Sequence, residues 1–582
     1  MRNLITILLM LVPVSVWAQN LDNLGERDPF KITGGVNFTG IGYGVNGIES
    51  RRDPFSWYMN GSLAFNIYGW SVPFSFSYSN QQRSFRQPFN RYGLAPQYKW
   101  IKTYLGYNNI SYSNYTLNGH VFLGGAVELT PGDFRINAMV GRLQKAVEED
   151  TLNEARIIPA YQRMGYAFQV GYGKGKSSID LILFKAEDDE NSLGSHPRQD
   201  DVRPQDNLVL SIMGKQQIME RLMVSAEFAS SAFTRNTLDS LSEAGGANLP
   251  GKMGGLFTPR TSSEYYNAFN MHVAYQGDFY TLQLNYEKVD PGYRTLGAYF
   301  FNNDLENITI SGSVKLLKDK LNLAANTGTQ RNNLDETEVS ATRRWINAVN
   351  LSYAPDQQWN FSGSYSNFTT FTNIRPRFDP FFEDELDTLN FYQINQNATA
   401  SVSYNLPGNK NNRQSIFFTG SYQIAEDDTG SETDTVDRGN TFMNGNLAYR
   451  LSMVEQQMSL SAGFNYLVSE FGGQSTNTFG PNVSVNRSFL DKQLRGGLSY
   501  SYNQQNEIER GDSRITSIRL NANFTPKKSG GKEKTTNSGG GLIGKGQHGF
   551  SMNAIYLRKS TTNPELPDFG EVTVNFNYNY RF

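Results

Sequence analysis

Apolar and polar residues alternate one by one in many short segments of the chain. In the segment Tyr280–Glu287, Tyr, Leu, Leu and Tyr alternate with Thr, Gln, Asn and Glu. Segments 307–316, 398–406, 458–466 and 518–524 repeat the pattern. Strands that cross a membrane place alternate residues toward lipid and toward the lumen of a barrel. The repetition therefore predicts an all-β protein formed by one large antiparallel transmembrane β-barrel.

Aromatic residues at the ends of the apolar rows favour a membrane barrel over a soluble β-sandwich, which would alternate as well. Such girdles mark the two membrane interfaces of a barrel. The aromatic residues that close these rows are Trp57, Tyr286, Trp345, Trp359, Tyr404, Tyr466 and Tyr502.

The last ten residues alternate without interruption and end on an aromatic residue. Val574, Phe576, Tyr578, Tyr580 and Phe582 share one face, and polar residues separate them. This segment resembles the terminal strand of outer-membrane proteins of Gram-negative bacteria. The resemblance implies that Phe582, with Tyr580 and Tyr578, is the signal read by the barrel-assembly machinery. The abundance of Asn, Tyr and Phe is similar to that of barrels from Bacteroidota, and no particular family follows from it.

The first residues have the composition of a secretory signal peptide. Arg2 supplies the basic region, Leu4–Val12 the apolar region, and cleavage is expected between Ala18 and Gln19. The apolar stretch is too short to span a membrane as a helix. We therefore expect residues 1–18 to be removed, residues 19–29 to form a short periplasmic segment, and residues 30–582 to form the barrel in the outer membrane, with both termini in the periplasm.

Composition narrows the class further. With a mean hydropathy of -0.51 and no long apolar run, the chain is not a helical membrane protein. Its 53 basic and 55 acidic residues give a net charge of -2, so no nucleic-acid partner is expected. The absence of cysteine excludes disulfides and thiolate metal sites. A closed, hydrogen-bonded sheet would supply the stability that disulfides supply in other exported proteins.

Turn-forming sequences and longer loops alternate along the chain, which predicts short periplasmic turns and long extracellular loops. Counting back from the last strand predicts about 24 strands. The count rises to 26 if Lys99–Tyr115 forms a hairpin instead of folding into the lumen. Residues 525–548, rich in Lys, Gly and Ser, are predicted to be a flexible insertion on the periplasmic side.

The sequence offers little for catalysis or for binding a metal or cofactor, and none of these sites is predicted. Only four histidines are present, and no known catalytic motif appears in a suitable context. His120, with Glu128, and His272 are expected to point into the lumen as ordinary polar residues. Acidic clusters at 187–190, 379–387 and 426–437 are interpreted as outer loops facing lipopolysaccharide through bridging cations.

The charges predicted to face the lumen are mixed in sign without a bias, so the sequence leaves ion selectivity open. They are Glu227, Glu287, Lys315, Arg450, Arg519 and Arg581.

The resemblance to Bacteroidota implies a possible modification, because that group O-glycosylates Asp-(Ser/Thr)-apolar tripeptides of exported proteins. Four tripeptides match, all in predicted outer loops. Their acceptor residues are Thr151, Ser240, Thr388 and Thr435.

A barrel of this width would leak unless something filled it, because barrels beyond about 16 strands enclose an aqueous lumen. We therefore predict a non-enzymatic, porin-like or transport channel whose lumen is blocked by inward-folded loops, with 234–263 and 91–118 as candidates. The alternative is a scaffold or accessory subunit of an outer-membrane assembly, secretion or motility complex. Expected partners are outer-membrane lipid, lipopolysaccharide, the barrel-assembly machinery and, for the alternative, a membrane-complex partner.

Overall fold

The structure is a computed structural model. It describes residues 30–80, 90–149, 159–194, 202–243, 245–299, 302–337, 343–367, 372–374, 389–391, 396–409, 411–425, 440–471, 474–507, 511–527 and 546–582. The predicted signal peptide with Ala18 and Gln19, the acceptors Thr151, Thr388 and Thr435, and most of the 525–548 insertion lie outside the described residues.

Alternating segments form 26 antiparallel strands in one closed sheet. The first thirteen are β1 Phe30–Asn46, β2 Phe55–Ile67, β3 Trp70–Ser79, β4 (Arg91–Leu94 with Gln97–Tyr98), β5 Ile101–Asn109, β6 Val121–Leu129, β7 Phe134–Gln144, β8 Gln162–Tyr172, β9 Ser177–Asp189, β10 Asp206–Ile218, β11 Leu222–Thr234, β12 Ser263–Gln276 and β13 Tyr280–Val289. The others are β14 Leu305–Leu316, β15 Leu321–Arg331, β16 Arg343–Tyr353, β17 Trp359–Ser366, β18 Gln396–Leu406, β19 Asn412–Ala425, β20 Asn440–Met453, β21 Met458–Phe471, β22 Gln474–Phe489, β23 Leu494–Glu507, β24 Ser513–Phe524, β25 Gln547–Thr561 and β26 Phe569–Arg581.

The sheet closes between its first and last strands. β1 pairs with β2 on one side and with β26 on the other, where Gly35 lies opposite Arg581 and Thr39 opposite Asn577. The Thr39 hydroxyl donates a hydrogen bond of 2.6 Å to the Asn577 side chain. The prediction of a large antiparallel barrel is confirmed.

The expected count of about 24 strands is wrong and the alternative of 26 is correct, although the additional hairpin spans Arg91–Asn109 and not Lys99–Tyr115. β4 and β5 form a hairpin, in which Tyr98 pairs with Ile101 across Lys99 and Trp100. Both strands also pair with their outer neighbours, β3 and β6. β4 was hard to count because it is interrupted between Leu94 and Gln97, where Pro96 cannot donate to the ladder.

The two ends of the barrel differ in their connections. At the short-turn end, residue pairs and short turns such as Tyr68-Gly69 and Thr130–Asp133 join the strands, and β1 begins and β26 ends there. Tyr68 and Gly69 both have positive φ, the geometry that two-residue hairpins favour. At the long-loop end most connections are longer, although only residues 472–473 join β21 to β22. The 525–546 connection is the long exception at the short-turn end.

Register assigns every strand residue to the inner or the outer face, because partners in a ladder share a face. The outer face carries the exposed apolar residues, such as Leu181, Ile212, Leu282 and Leu498. Near the short-turn end Trp70 stacks on Tyr98 at 4.9 Å, and the ring of Trp359 lies tilted against that of Tyr404 at 4.4 Å. Near the other end the rings of Trp57 and Tyr78 are 5.8 Å apart. These pairs place aromatic side chains on the outer face near both ends of the barrel, and their role as membrane-interface girdles stays a prediction.

Two smaller elements lie outside the barrel wall. Thr372–Ile374 pairs with Leu389–Phe391, and Pro250–Lys252 forms one turn of 3₁₀-helix. No helix within the described ranges is long and apolar enough to cross a membrane.

Candidate channel interior

Two connections of the long-loop end fold back against the inner wall. We call residues 110–120, after β5, and residues 290–299, after β13, the inward-folded pair. Tyr115, Leu117, Tyr293 and Leu296 of this pair are all buried. The pair packs on the inner face of strands β5–β13, which we call the packed sector. The remaining wall, β14–β26 with β1–β4, is called the polar sector.

Hydrogen bonds join the two segments of the pair to each other. The Tyr293 hydroxyl donates to the carbonyl of Tyr115 at 2.8 Å, and the Thr295 hydroxyl donates to the carbonyl of Thr116 at 2.7 Å. The amide of Asn118 donates to the carbonyl of Gly297 at 2.9 Å. Backbone N–H and C=O groups that are buried need hydrogen-bond partners. These bonds supply them, so both loops can be buried inside the barrel.

Further hydrogen bonds fasten the pair to the barrel wall. The side-chain oxygen of Asn207 accepts from the amide of Leu296 at 3.0 Å, and the Ser231 hydroxyl donates to the carbonyl of Arg294 at 2.8 Å. The Tyr115 hydroxyl donates to the Glu287 carboxylate at 2.8 Å. Wall residues of β10, β11 and β13 therefore hold the pair in one position.

Apolar contacts supply most of the attachment. On the inner face of β9, Ile182, Phe184 and Ala186 have no exposed surface, and they belong to one cluster with Tyr115 and Leu117. Fully burying one large apolar side chain contributes roughly 1.5–3 kcal/mol. Several such side chains are buried in this cluster, so apolar contacts contribute to the attachment of the pair.

Gly297 permits the closest approach within the pair. A Cβ atom at this position would lie 2.5 Å from the carbonyl oxygen of Thr116 and 2.9 Å from the ring of Phe184. Since one of these neighbours is backbone, a side chain at 297 would force the two segments apart.

His120 ends the first segment of the pair. Its ring stacks on Tyr299 at 4.1 Å, and its Nδ1 lies 2.9 Å from the carbonyl oxygen of Val121. Burial lowers the pKa of this imidazole to about 4. Glu128 faces inward, as expected, but it lies at the far end of β6, where it accepts from the Tyr104 hydroxyl at 2.9 Å.

Ion pairs satisfy charges on the inner wall of the packed sector. Arg135 binds Asp180 at 2.7 Å near the short-turn end, and Arg163 binds Asp188 at 2.7 Å near the long-loop end. Gln169 also donates to Asp180 at 3.1 Å. Buried charges are tolerated when they are paired and hydrogen-bonded in this way.

The polar sector has a different inner surface. Its inward positions are mostly Ser, Thr and Asn, as in the register row Ser461, Ser484 and Ser499 of β21, β22 and β23. Toward the short-turn end these residues are partly or fully exposed, as Asn360 and Asn523 are. At the long-loop end the inward residues Ile346, Phe442, Ile515 and Leu557 are buried.

The prediction that loop 234–263 folds inward is wrong. The described part of residues 235–262, here called the outer flap, packs Met253 and Phe257 on outward-facing Leu183, Leu208 and Ala232. Phe257 also covers the outward ion pair between Lys185 and Asp206. The flap therefore shields polar groups and apolar side chains of the outer wall. The other candidate, 91–118, was partly correct. Residues 91–109 form strands of the barrel wall, and residues 110–120 fold inward.

His272 and the named charges reach the face expected of them. Register places His272 inward on β12, opposite Asn285. The acidic run 187–190 is dispersed: Asp188 faces inward, while the Glu190 carboxylate accepts from the Thr237 hydroxyl at 2.5 Å. No group of metal-ligating side chains occurs in the part of the chain that the structure describes.

The aromatic residues at the end of the last strand lie together at the short-turn end of the barrel. Tyr578 and Tyr580 face outward at the short-turn end beside His548, whose Nδ1 lies 3.0 Å from the Tyr578 hydroxyl. The amide of Phe582 donates to the carbonyl of Gly34 at 2.9 Å, which ties the chain end to β1. Their role in assembly stays a prediction. So does glycosylation of Ser240, which is exposed in the outer flap.

No protein family model matches this chain, and no curated protein matches it. Similar solved structures include the P pilus usher (PapC) translocation pore, with 12% identity, 94% of this chain and 99% of that chain covered, and a TM-score of 0.40. Acinetobacter baumannii OccAB4 has 11% identity, 72% and 98% coverage and a TM-score of 0.30. Pseudomonas aeruginosa OccK8 (OprE) has 9% identity, the same coverage and the same TM-score. At these values the likeness assigns neither a family nor a function.

Proposed function

We propose that this protein is a porin-like transport channel of the bacterial outer membrane, with a passage along the polar sector and the inward-folded pair as its partial plug. The observation that carries the proposal is the unequal filling of the barrel. The pair packs against β5–β13, whereas exposed hydroxyl and amide side chains line the rest of the wall toward the short-turn end.

Physical reasoning supports an aqueous interior in the polar sector. Barrels of about 16–18 strands already leave a water-filled channel, so 26 strands enclose more space than one pair of loops fills. Inward Ser, Thr and Asn side chains can form hydrogen bonds with a passing solute in place of those that it makes with bulk water. The outer membrane follows from the closed barrel with an apolar outer face, since a closed sheet is the form in which strands cross lipid.

Single-channel conductance in planar bilayers tests the proposal. We expect discrete conductance steps from the purified protein and larger steps from Gly297→Leu, because a side chain at 297 must displace the inward-folded pair. Gly445→Ala is the matched control, since its Cβ would meet nothing within 4 Å. Absence of steps from both the native protein and Gly297→Leu, with the barrel folded, would contradict a channel.

The outer flap favours one second candidate, a non-enzymatic scaffold or accessory subunit. Four leucines of the flap are exposed, at positions 238, 241, 249 and 256. Exposed apolar patches mark sites that bind membranes or partner proteins. Purification from the native host in mild detergent tests this candidate. A stoichiometric partner that is lost when Leu241 and Leu249 are changed to Ser would support it, and a protein recovered alone would count against it.

A further inference from the structure

The strand register shows which charged side chains face inward, and the balance of their signs differs between the packed and the polar sector. In the packed sector four cations face inward with six carboxylates: Lys102, Arg135, Arg163 and Lys215, with Glu128, Asp180, Asp188, Glu227, Glu264 and Glu287. In the polar sector, among residues whose side chains are described, nine cations face inward with one carboxylate, Glu571. The nine are Lys31, Arg91, Lys315, Arg413, Arg450, Arg495, Arg519, Lys559 and Arg581.

This distribution corrects the sequence interpretation that lumenal charge has no bias. Both acidic residues singled out from the sequence, Glu227 and Glu287, lie in the packed sector. All four basic residues singled out lie in the polar sector. The two signs are therefore separated around the barrel, although they balance in the sum over the sequence.

Most of the cations lie at one mouth of the barrel. Five of them are the terminal or next-to-terminal residues of their strands at the short-turn end: Lys31, Lys315, Arg413, Arg495 and Arg581. All five are exposed, and within the described part of the chain none of them makes an ion pair. We call them, with Arg450, the basic ring. Glu571 lies at the opposite end of β26 and accepts from the Tyr43 hydroxyl at 2.9 Å.

The inward-facing strand carboxylates nearest this mouth are already paired. Glu128 lies 3.7 Å from Lys102, and Asp180 lies 2.7 Å from Arg135. The inward-facing strand residues at the short-turn mouth therefore carry a surplus of positive charge. Rings of like charge set the sign of the ions that a pore admits, and they raise the local concentration of the opposite charge.

Spacing along the wall leaves room between the cations. Five residues lie side by side on the neighbouring strands β20–β24. Arg450 and Arg519 are the outer two, and Ser461, Ser484 and Ser499 lie between them. Four strand steps of about 4.8 Å place their backbones roughly 19 Å apart. Arg413 is a diagonal neighbour of Arg450, since Arg450 pairs with Ser415. A guanidinium group binds the oxygens of a carboxylate or phosphate with two parallel hydrogen bonds. The small serine side chains between the arginines leave room for a solute.

We propose that the passage selects anions, and that its solutes are small molecules carrying carboxylate or phosphate groups. The inference rests on the proposed channel function and adds the class of solute. The basic ring collects anions at the short-turn mouth, and the hydroxyl rows of the polar sector give them hydrogen bonds along the wall.

The reversal potential under a potassium chloride gradient, and then under a potassium acetate gradient, tests the proposal. We expect the native channel to pass anions over potassium. The triple variant Arg413→Gln, Arg450→Gln, Arg495→Gln should still conduct, with an anion-to-cation permeability ratio that falls toward one. The control variant Arg487→Gln, Arg514→Gln, Arg558→Gln makes the same charge change on the outer face and should keep the native ratio.

The outcomes separate this inference from the proposed function. Conductance steps with no preference, or with a preference for cations, would overturn anion selection and leave the channel in place. Full anion preference in the triple variant would overturn the assignment to the basic ring. Absence of steps from both the folded native protein and Gly297→Leu would contradict the channel itself.

Discussion

The packed and polar sectors belong to one continuous sheet and differ only on the inside. Strands β9 and β22 both present apolar residues outward, such as Leu181 and Val483. Inward, β9 carries Ile182 and Phe184, whereas β22 carries Asn482 and Ser484. Lipid imposes the same requirement on every strand, so the outer face is uniform. The inner face differs because one half packs against the inward-folded pair, whereas the other half exposes Ser, Thr and Asn side chains toward the short-turn end.

The two sectors should therefore differ most in the cost of removing an inward aromatic ring. Phe184→Ala should lower the free energy of unfolding by about 3–5 kcal/mol, because the ring has no exposed surface and a cavity would remain. Phe417→Ala is the matched variant, since Phe417 faces inward on β19 and is only partly buried. It should cost about 1 kcal/mol.

Thermal and urea unfolding of protein folded in detergent micelles, followed by circular dichroism, measures both variants. Equal losses of stability would remove the distinction between the sectors. A larger loss from Phe417→Ala would reverse it.

Acid should loosen the packed sector through His120. The imidazole has a pKa of about 4 in the folded protein and 6.5 in the unfolded chain, because burial disfavours its charged form. The unfolded state then binds more protons between these values, so stability falls as pH falls. The contribution is fully present above pH 6.5, decreases toward pH 4, and amounts to on the order of 3 kcal/mol.

Hydrogen exchange of residues 110–120, corrected for the intrinsic rate, measures this effect at pH 7 and near pH 4.5. Protection should drop at the lower pH in the native protein and in the control His548→Gln, whose ring lies on the outer face. His120→Gln should lose most of the pH dependence. Protection that is the same at both pH values in the native protein would show that His120 does not destabilise the pair when it is protonated.

Much of the fold could be predicted from the sequence because lipid enforces alternation. The segments around Leu282, Ile310, Val402, Phe464 and Leu520 all place their apolar rows on the outer face. The strand count was less certain, because β4 is broken and resembles a loop. Turn residues such as Thr130–Asp133 located the strand ends well.

The interior was predicted less well because the lumen has no uniform solvent. Segment 290–299 was missed as an inward element, although Tyr293, Leu296 and Tyr299 are unusual in an exposed loop. A second signal was available in Leu181-Ile182-Leu183-Phe184, where alternation gives way to a continuous apolar run. Such a run predicts a strand that is covered on both faces. Charge segregation could not be read before register assigned each residue to a strand and a face.

Cysteine accessibility tests most directly the claim that only one sector faces a water-filled passage. The native chain contains no cysteine, so each single substitution gives an unambiguous signal. Asn360→Cys and Asn523→Cys lie in the polar sector, and Ala186→Cys and Ala229→Cys lie under the inward-folded pair. In protein folded into liposomes, a water-soluble maleimide should label the first two rapidly and leave the last two unlabelled. Equal labelling of all four positions, or labelling of only the packed-sector positions, would contradict the account.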